Sequence, residues 1–578
     1  MGADWYRRCV QEHVKCGPTQ KESALLPTRV IDVGSTLTQP RLYISGDGET
    51  GEWAALSYCR GGDGHLTLTA TSLDGLQSGI PLSDFPPTLR DAVLVARALG
   101  IQYLWIDALC IFQDDMNDRR LEASKTSDVY TYAVVTIAAT SADSMADGFL
   151  DRREPHFNCP FPWRRHNHST TVPDSHTHHR RLPILLRNPV ESNNLAPELK
   201  SRWATRGWTF QEQVLSNRLL CYTSGRMIWH CRAGMAIEPS EKVEALSDYS
   251  RVEVPDDAAY STEATYSAWY KLVKKYTKRH LTFDNDRLPA IAAIAKRFHA
   301  HLGDRYCAGL WRGDLLQGLL WGVAAGSDGS GPPGSPFLRA RLRLSGYYDS
   351  RNNTAKSASN EVLMGVPSEH RAPSWSWAGA KSGVELSWPI EFRNGTFTYL
   401  ARVVSVEVRS KPGDDFGGVD GGELILEAPY RHLRLWLGRF SGGSSSPANL
   451  VLSALARLGP LTRTRKLAQI VLTSPHVLAS TTSSRSVTVP SSSTRFTLIQ
   501  IAKTEKVLYL LILQPLAVDD GHSGRPQRHY RRVGLLRLEP YQYDDDKYVG
   551  EEMTDRLEGA AYREVTRGEW PMASFVIV

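Results

Sequence analysis

The sequence predicts an α/β protein: a doubly wound, mainly parallel sheet, followed by a helical extension and a β-rich C-terminal domain. Three observations carry this. Short apolar strand-like runs alternate with amphipathic helical stretches between residues 51 and 140. Residues 240–325 are patterned mostly for helix. After about residue 385, alternating and β-branched segments dominate. These shifts divide the chain into a lead-in over 1–50, an α/β domain over 51–235, a helical extension over 236–384 and a β-rich region over 385–578.

Within the lead-in, 41–44 suits an edge strand. Residues 53–58 (WAALSY) form a compact apolar run, read as a buried strand that leaves through the loop Cys59-Arg60-Gly61-Gly62-Asp63. Pro86-Pro87-Thr88 with Asp91 starts a helix, whose apolar positions Leu89, Ala92, Val93, Ala96 and Leu99 recur at helical spacing up to Gly100. A second buried strand, 101–106 (IQYLWI), ends at Asp107 and leads into the acidic loop 114–118. Helix is expected over 119–132, and a third strand over 134–139 (VVTIAA), closed by Thr140-Ser141-Ala142-Asp143. In a doubly wound sheet ligands sit beyond the carboxyl ends of the strands, which here carry Ser57, Tyr58, Asp107 and Ser141.

Residues 151–200 read as loop, with His166, His168, His176, His178 and His179 among Arg and Pro. Residues 203–220 read as one helix, 227–229 as a short strand, and Pro373-Ser374-Trp375-Ser376-Trp377 closes the helical extension. Strands are expected over 398–408, 423–427, 496–502, 507–513 and 533–538. The small and polar stretches 442–446 and 480–494 lack apolar content and are expected to be disordered insertions.

Composition narrows the function classes. With 41% hydrophobic and 22% charged residues, the 578-residue chain is globular and neither disordered nor collagen-like. A net charge of +6 over this length does not call for a nucleic-acid partner. The eight cysteines contain no CxxC pair, which fits a reducing cytosol and offers neither a disulfide framework nor a metal motif. The most apolar run, 507–513, is far short of the ~18 residues that span a bilayer, so a cytoplasmic protein without a membrane partner is expected. Met1-Gly2 is not followed by a myristoylation pattern, since Tyr6 stands where Ser or Thr is needed.

Several motifs dissolve on their context. Gly46-x-Gly48-x-x-Gly51 precedes a strand instead of a helix, so it reads as a turn and not as a dinucleotide fingerprint. The acidic loop lacks the turn glycine and the twelfth-position glutamate of a calcium loop. The five histidines show no metal-binding spacing and read as a solvated insertion. Trp208 and Glu212 are different: four residues apart on a helix, they share one face. A carboxylate beside an aromatic plate suits a cationic, oxocarbenium-like transition state. The spacing leaves open the alternative that the aromatics fill a core while Glu212 pairs with Arg206 or Arg218.

The strings AALSYCRGG (54–62), PPTLRDAVLVARALGIQYLWIDALCIFQDD (86–115), VYTYAVVTIAATSADSMADGFL (129–150) and RWATRGWTFQEQVLSNRLLCYTSGRMIWHC (202–231) together resemble the fungal heterokaryon-incompatibility (HET) domain. DRLPAIAAIA (286–295), CAGLW (307–311) and APSWSWAG (372–379) resemble segments that follow it. The resemblance implies a cytoplasmic protein of fungal non-self recognition that triggers programmed cell death, acting with protein partners of incompatibility signalling whose identity it does not give. Arg60 departs from the family pattern, which has tryptophan there, and an inactive member is one reading of that change. The HET domain is in turn similar in layout to the TIR domains of innate immunity, some of which cleave NAD with a helix glutamate after a tryptophan. Carried over, Glu212 is the catalytic group and Trp208, Ser57, Tyr58 and Asp107 bind substrate, with no metal and no required cofactor, NAD being the substrate. TIR-like catalysis implies self-assembly. The rival reading is a non-catalytic protein-interaction module.

Overall fold

The computed structural model describes residues 1–16, 24–62, 66–151, 201–238, 261–323, 372–380, 385–389, 397–412, 414–438, 494–504, 507–516, 529–538 and 569–578, the strands 157–160, 183–186, 453–457 and 465–469, and positions 240, 243 and 383. The chain divides into two compact units, Met1–Arg251 and Val252–Val578. The five histidines of 166–179 and the stretches 442–446 and 480–493 lie outside the described residues. No helix among the described residues is long and apolar enough to cross a membrane.

The first unit opens with helix α1 (Gly2–Glu12) and strands β1 (Arg29–Asp32) and β2 (Arg41–Ile44). The lead-in is thus not a separate tail. β1 pairs antiparallel with β2 on one side and, on the other, with β4 (Tyr103–Trp105). Then come β3 (Trp53–Ser57), α2 (Leu73–Ser78), α3 (Pro87–Leu99), β4, the one-turn α4 (Asp107–Cys110), α5 (Met116–Tyr132) and β5 (Val135–Ala138). Among the described residues, β6 (Phe157–Pro160) and β7 (Pro183–Leu186) pair with each other in a separate two-stranded sheet. Helices α6 (Arg202–Thr205) and α7 (Gly207–Leu215) precede β8 (Arg218–Tyr222), β9 (Met227–Cys231) and β10 (Gly234–Ile237). The expected helix over 203–220 is therefore corrected: it breaks at Arg206, stops at Leu215, and the apolar run RLLCY enters the sheet as a strand.

The sheet runs β10-β9-β8-β5-β3-β4-β1-β2. Its centre, β4-β3-β5-β8, is parallel, and the outer pairs are antiparallel. Counted along the chain, those parallel strands lie in the order 2-1-3-4, so successive connections leave β3 in opposite directions. β3, β5 and β8 are buried at every position, as interior parallel strands must be when both faces are covered.

Polar side chains fix the helices to this sheet. Asp91 on α3 accepts from the Phe149 and Leu150 amides at 2.8 and 3.0 Å, which ties the loop after β5 to α3. The acidic loop is structural: Asp115 caps α5, and Asp118 takes both oxygens to the buried Arg29 guanidinium at 2.6 and 2.7 Å. Gly46 and Gly48 lie in the turn before β3, and the Gly46 amide donates to the Glu49 carboxylate.

In the second unit, helices Thr262–Thr277 and Ala292–Leu302 accompany a tryptophan-rich core. Short strand pairs, Tyr306–Cys307 with Leu310–Trp311 and Gly322–Val323 with Leu386–Ser387, interrupt the expected run of helix. Five long strands, Val419–Gly438, Thr494–Lys503, Leu508–Pro515, His529–Leu538 and Met572–Ile577, pair in a closed ring. Closure is possible because the first is 20 residues long: its 424–429 half pairs with the last strand and its 430–435 half with Thr494–Lys503. The closed ring leaves none of the five as a free edge.

Candidate functional site

Ser57 is the last residue of β3 and Tyr58 follows it, Asp107 lies two residues past β4, and Glu212 sits in the middle of α7. The fold brings these together at the carboxyl ends of the parallel strands. The Ser57 hydroxyl, fully buried, donates to a Glu212 carboxylate oxygen in a short hydrogen bond. It accepts in turn from the indole N–H of the fully buried Trp203, at 2.7 Å. The Tyr58 hydroxyl donates to Asp107 at 2.7 Å, and the Ala108 amide donates to the same oxygen at 2.7 Å.

The supports of this group are backbone-directed. Thr209 of α7 donates to the Trp203 carbonyl at 2.6 Å, which sets the angle between α6 and α7. Beyond α7, Ser216 is hydrogen-bonded to Thr136 of β5 and donates to the Glu212 carbonyl, both at 2.6 Å. The Tyr130 phenol of α5 donates to the Leu56 carbonyl at 3.0 Å, and it also bonds the Glu212 carboxyl. Each side chain around Glu212 is thus held by a second element.

The electrostatics follow from this enclosure. Burial raises the Glu212 carboxyl from its ordinary value to about 7; the Ser57 hydrogen bond opposes the rise, the Asp107 charge adds to it, and Arg206 and Tyr130 oppose it. Glu212 therefore exchanges a proton near neutrality, in a site where a positive charge would restore its ionised form. Tyr58 and Tyr130 are held well above the usual phenol range, chiefly by burial, and stay neutral hydrogen-bond donors.

The sequence-derived residues divide. Ser57, Tyr58, Asp107 and Glu212 meet. Trp208 is half-buried on α7, one turn before Glu212, and the Trp203 indole is bonded to Ser57. Glu212 feels Arg206 through its charge, while Arg218 is directed to Cys9 and Cys16. Ser141 donates its amide to the Tyr222 carbonyl at 2.9 Å, and its hydroxyl has no hydrogen-bond partner among the described residues. Arg60 bonds Gln113 at 2.7 Å, and Gln113 donates to the Asp107 carbonyl at 3.3 Å, so the departing residue is tied to the rim of the site. Sequence reasoning missed Tyr130 and Gln113 altogether; the tyrosine pair Tyr130-Tyr132 before a buried strand was the available signal.

Residues 53–212 match the family model described as Heterokaryon incompatibility protein (HET). No curated protein and no solved structure matches the chain. The matched stretch begins with β3 and ends on Glu212, so it contains Ser57, Tyr58, Asp107, Tyr130 and Trp203. Over this stretch, residues 53–212, the chain is similar to the heterokaryon-incompatibility (HET) family.

Proposed function

We propose that this protein acts in fungal non-self recognition and programmed cell death, and that its HET domain cleaves the bond between nicotinamide and ribose in NAD. The observation that carries the reading is the enclosed Glu212 carboxyl, bonded to Ser57 and set at the strand ends beside the Asp107–Tyr58 pair. The parallel order 2-1-3-4 supports a TIR-like, doubly wound reading, since ligands of such sheets bind where the strand order reverses.

In this reaction the glycosidic C–N bond breaks and its electron pair returns to the nicotinamide ring nitrogen, which leaves neutral and needs no acid. The ribosyl carbon becomes cationic, and ionised Glu212 stabilises it. Water then adds its oxygen to that carbon, and its proton passes to Glu212, whose value near 7 suits both roles. Tyr58, Asp107 and Trp208 bind the substrate, and Ser57 fixes the carboxylate. NAD is substrate here, no further cofactor is required, and the protein works in the cytoplasm, by self-assembly and with protein partners of incompatibility signalling.

The test is NAD loss and nicotinamide release by the full chain at high protein concentration, beside Glu212→Gln. Turnover abolished by the substitution supports the enzyme. A second reading is favoured by one observation: Trp203, Ser57 and Glu212 satisfy one another, as a structural network would. In that case the domain is a non-catalytic interaction module or an inactive member, neither chain turns over NAD, and Glu212→Gln leaves any growth defect in a fungal host unchanged.

A further inference from the structure

Outside the stretch matched by the family model, three cysteines and a histidine converge. Cys9 and His13 are one turn apart on the same face of α1 and its C-cap. A 3-10 turn over Val14–Cys16 returns the chain so that Cys16 faces the same point. Cys231 ends β9 and arrives from the neighbouring hairpin. One ligand atom from each of the four lies within 4.8 Å of all the others, and the three cysteines are buried free thiols.

We infer that Cys9, His13, Cys16 and Cys231 form a structural zinc site that fastens α1 to the β9–β10 hairpin. Three thiolates and one imidazole are a common tetrahedral zinc set, and four protein ligands leave no open position for catalysis. The size fits. Zinc bonds of ~2.3 Å to sulfur and ~2.0 Å to nitrogen place tetrahedral S and N ligands roughly 3.5 Å apart, and the Cys231 sulfur lies 3.4 Å from His13 Nδ1. The charge fits as well. Zinc with three thiolates carries one net negative charge, and the buried Arg218 guanidinium donates to the Cys9 sulfur at 3.3 Å and to the Cys16 carbonyl at 3.2 Å. The Ala233 amide, in the tight turn between β9 and β10, donates to the Cys16 and Cys231 sulfurs. Donors of this kind orient thiolate ligands from outside the first coordination sphere. Cysteine spacing alone could not show the site, because Cys231 lies more than 200 residues from Cys16.

The test uses the full chain, purified under reducing conditions without chelator. Elemental analysis should give about one zinc per chain, and cobalt substitution should give thiolate charge-transfer and tetrahedral d–d absorption. Cys16→Ser and His13→Ala should lose the bound metal and lower the thermal midpoint, whereas Cys307→Ser, in the second unit, should keep it. In the zinc-loaded protein, Cys9, Cys16 and Cys231 should resist alkylation and react after chelation. A folded chain that takes up no zinc or cobalt, with the same cysteine reactivity in the presence and absence of zinc, would overturn the assignment. So would a disulfide between any two of the three cysteines in the freshly reduced, zinc-treated protein.

Discussion

The indole N–H of Trp203 is hydrogen-bonded at 2.7 Å to the Ser57 hydroxyl, whose own proton goes to the Glu212 carboxylate. Ser57 is thereby fixed as a donor toward Glu212, since its acceptor side is taken by an indole that can only donate. Replacing Ser57 with Ala removes a bond that favours ionised Glu212, so the carboxyl should titrate higher still. The expected result is a fall of roughly tenfold in NAD cleavage at pH 7 and an upward move of the midpoint of the rate–pH profile. Trp203→Phe keeps the buried ring and should move the midpoint less. An unchanged profile in Ser57→Ala would remove Ser57 from the account of Glu212.

The wild-type rate itself should depend on pH in a defined direction. In the proposed reaction ionised Glu212 is the active form, and its value lies near 7. Cleavage should therefore rise from pH 5 through about 7 and level off above it, with one proton lost. A rate falling over that range would mean that the protonated acid is the working species. Nicotinamide release measured across the range at saturating NAD decides between them.

Stability should move oppositely to activity. A carboxyl raised from 4.5 to about 7 on folding binds its proton more tightly in the native state, so native stability is lost as pH rises between those values. At 1.36 kcal/mol per unit, the ionised group costs up to about 3 kcal/mol above neutrality. Glu212→Gln cannot ionise and still accepts from Ser57. Its melting temperature should exceed that of the wild type at pH 8, with little difference at pH 5. Equal melting temperatures at pH 8 would show that the carboxyl is not stressed by its surroundings.

A second raised carboxyl gives an independent check in the other unit. Burial brings Asp314 to about 7, and Tyr270 donates to it at 2.7 Å. The sign is the same: stability associated with its protonated form is lost from about pH 4 to 7. Asp314→Asn should flatten this dependence. Tyr270→Phe, which deletes the bond that favours the ionised acid, should steepen the loss, as read by melting temperature against pH.

The parallel strands and α3 were legible because buried strands write themselves as short apolar runs, and α3 carries both proline at its start and Gly100 in the left-handed conformation at its end. The wrong element was the helix over 203–220. RLLCY is apolar enough for either structure, and only Ser216-Asn217 separates it from α7. Trp208 and Glu212 lie one turn apart on α7, as their spacing implies, and the break at Arg206 turns α6 so that Trp203 reaches Ser57. α1 was missed because it buries only Gly2, Trp5 and Cys9, too thin a stripe to show as periodicity. Its purpose depends on Cys231, a tertiary contact that local patterning does not contain.

The last prediction concerns the tryptophan core of the second unit, where CAGLW meets the APSWSWAG segment. Gly309 has φ +96°, and its carbonyl accepts from the indoles of Trp269 and Trp377 at 2.9 and 2.7 Å. A Cβ on Gly309 would lie 2.5 Å from Trp377 Nε1 and 2.7 Å from its Cε2, so the ring would have to move and surrender its bond. Backbone strain and overpacking together should make Gly309→Ala cost about 3 kcal/mol or more. Near-UV circular dichroism should lose intensity as the indoles reorient. Gly62→Ala is the matched control, because a Cβ there meets nothing within 4 Å, and it should change stability by less than about 0.5 kcal/mol. If the two substitutions cost the same in chemical denaturation, Gly309 is not held by the tryptophans, and the packing of CAGLW against APSWSWAG does not organise this core.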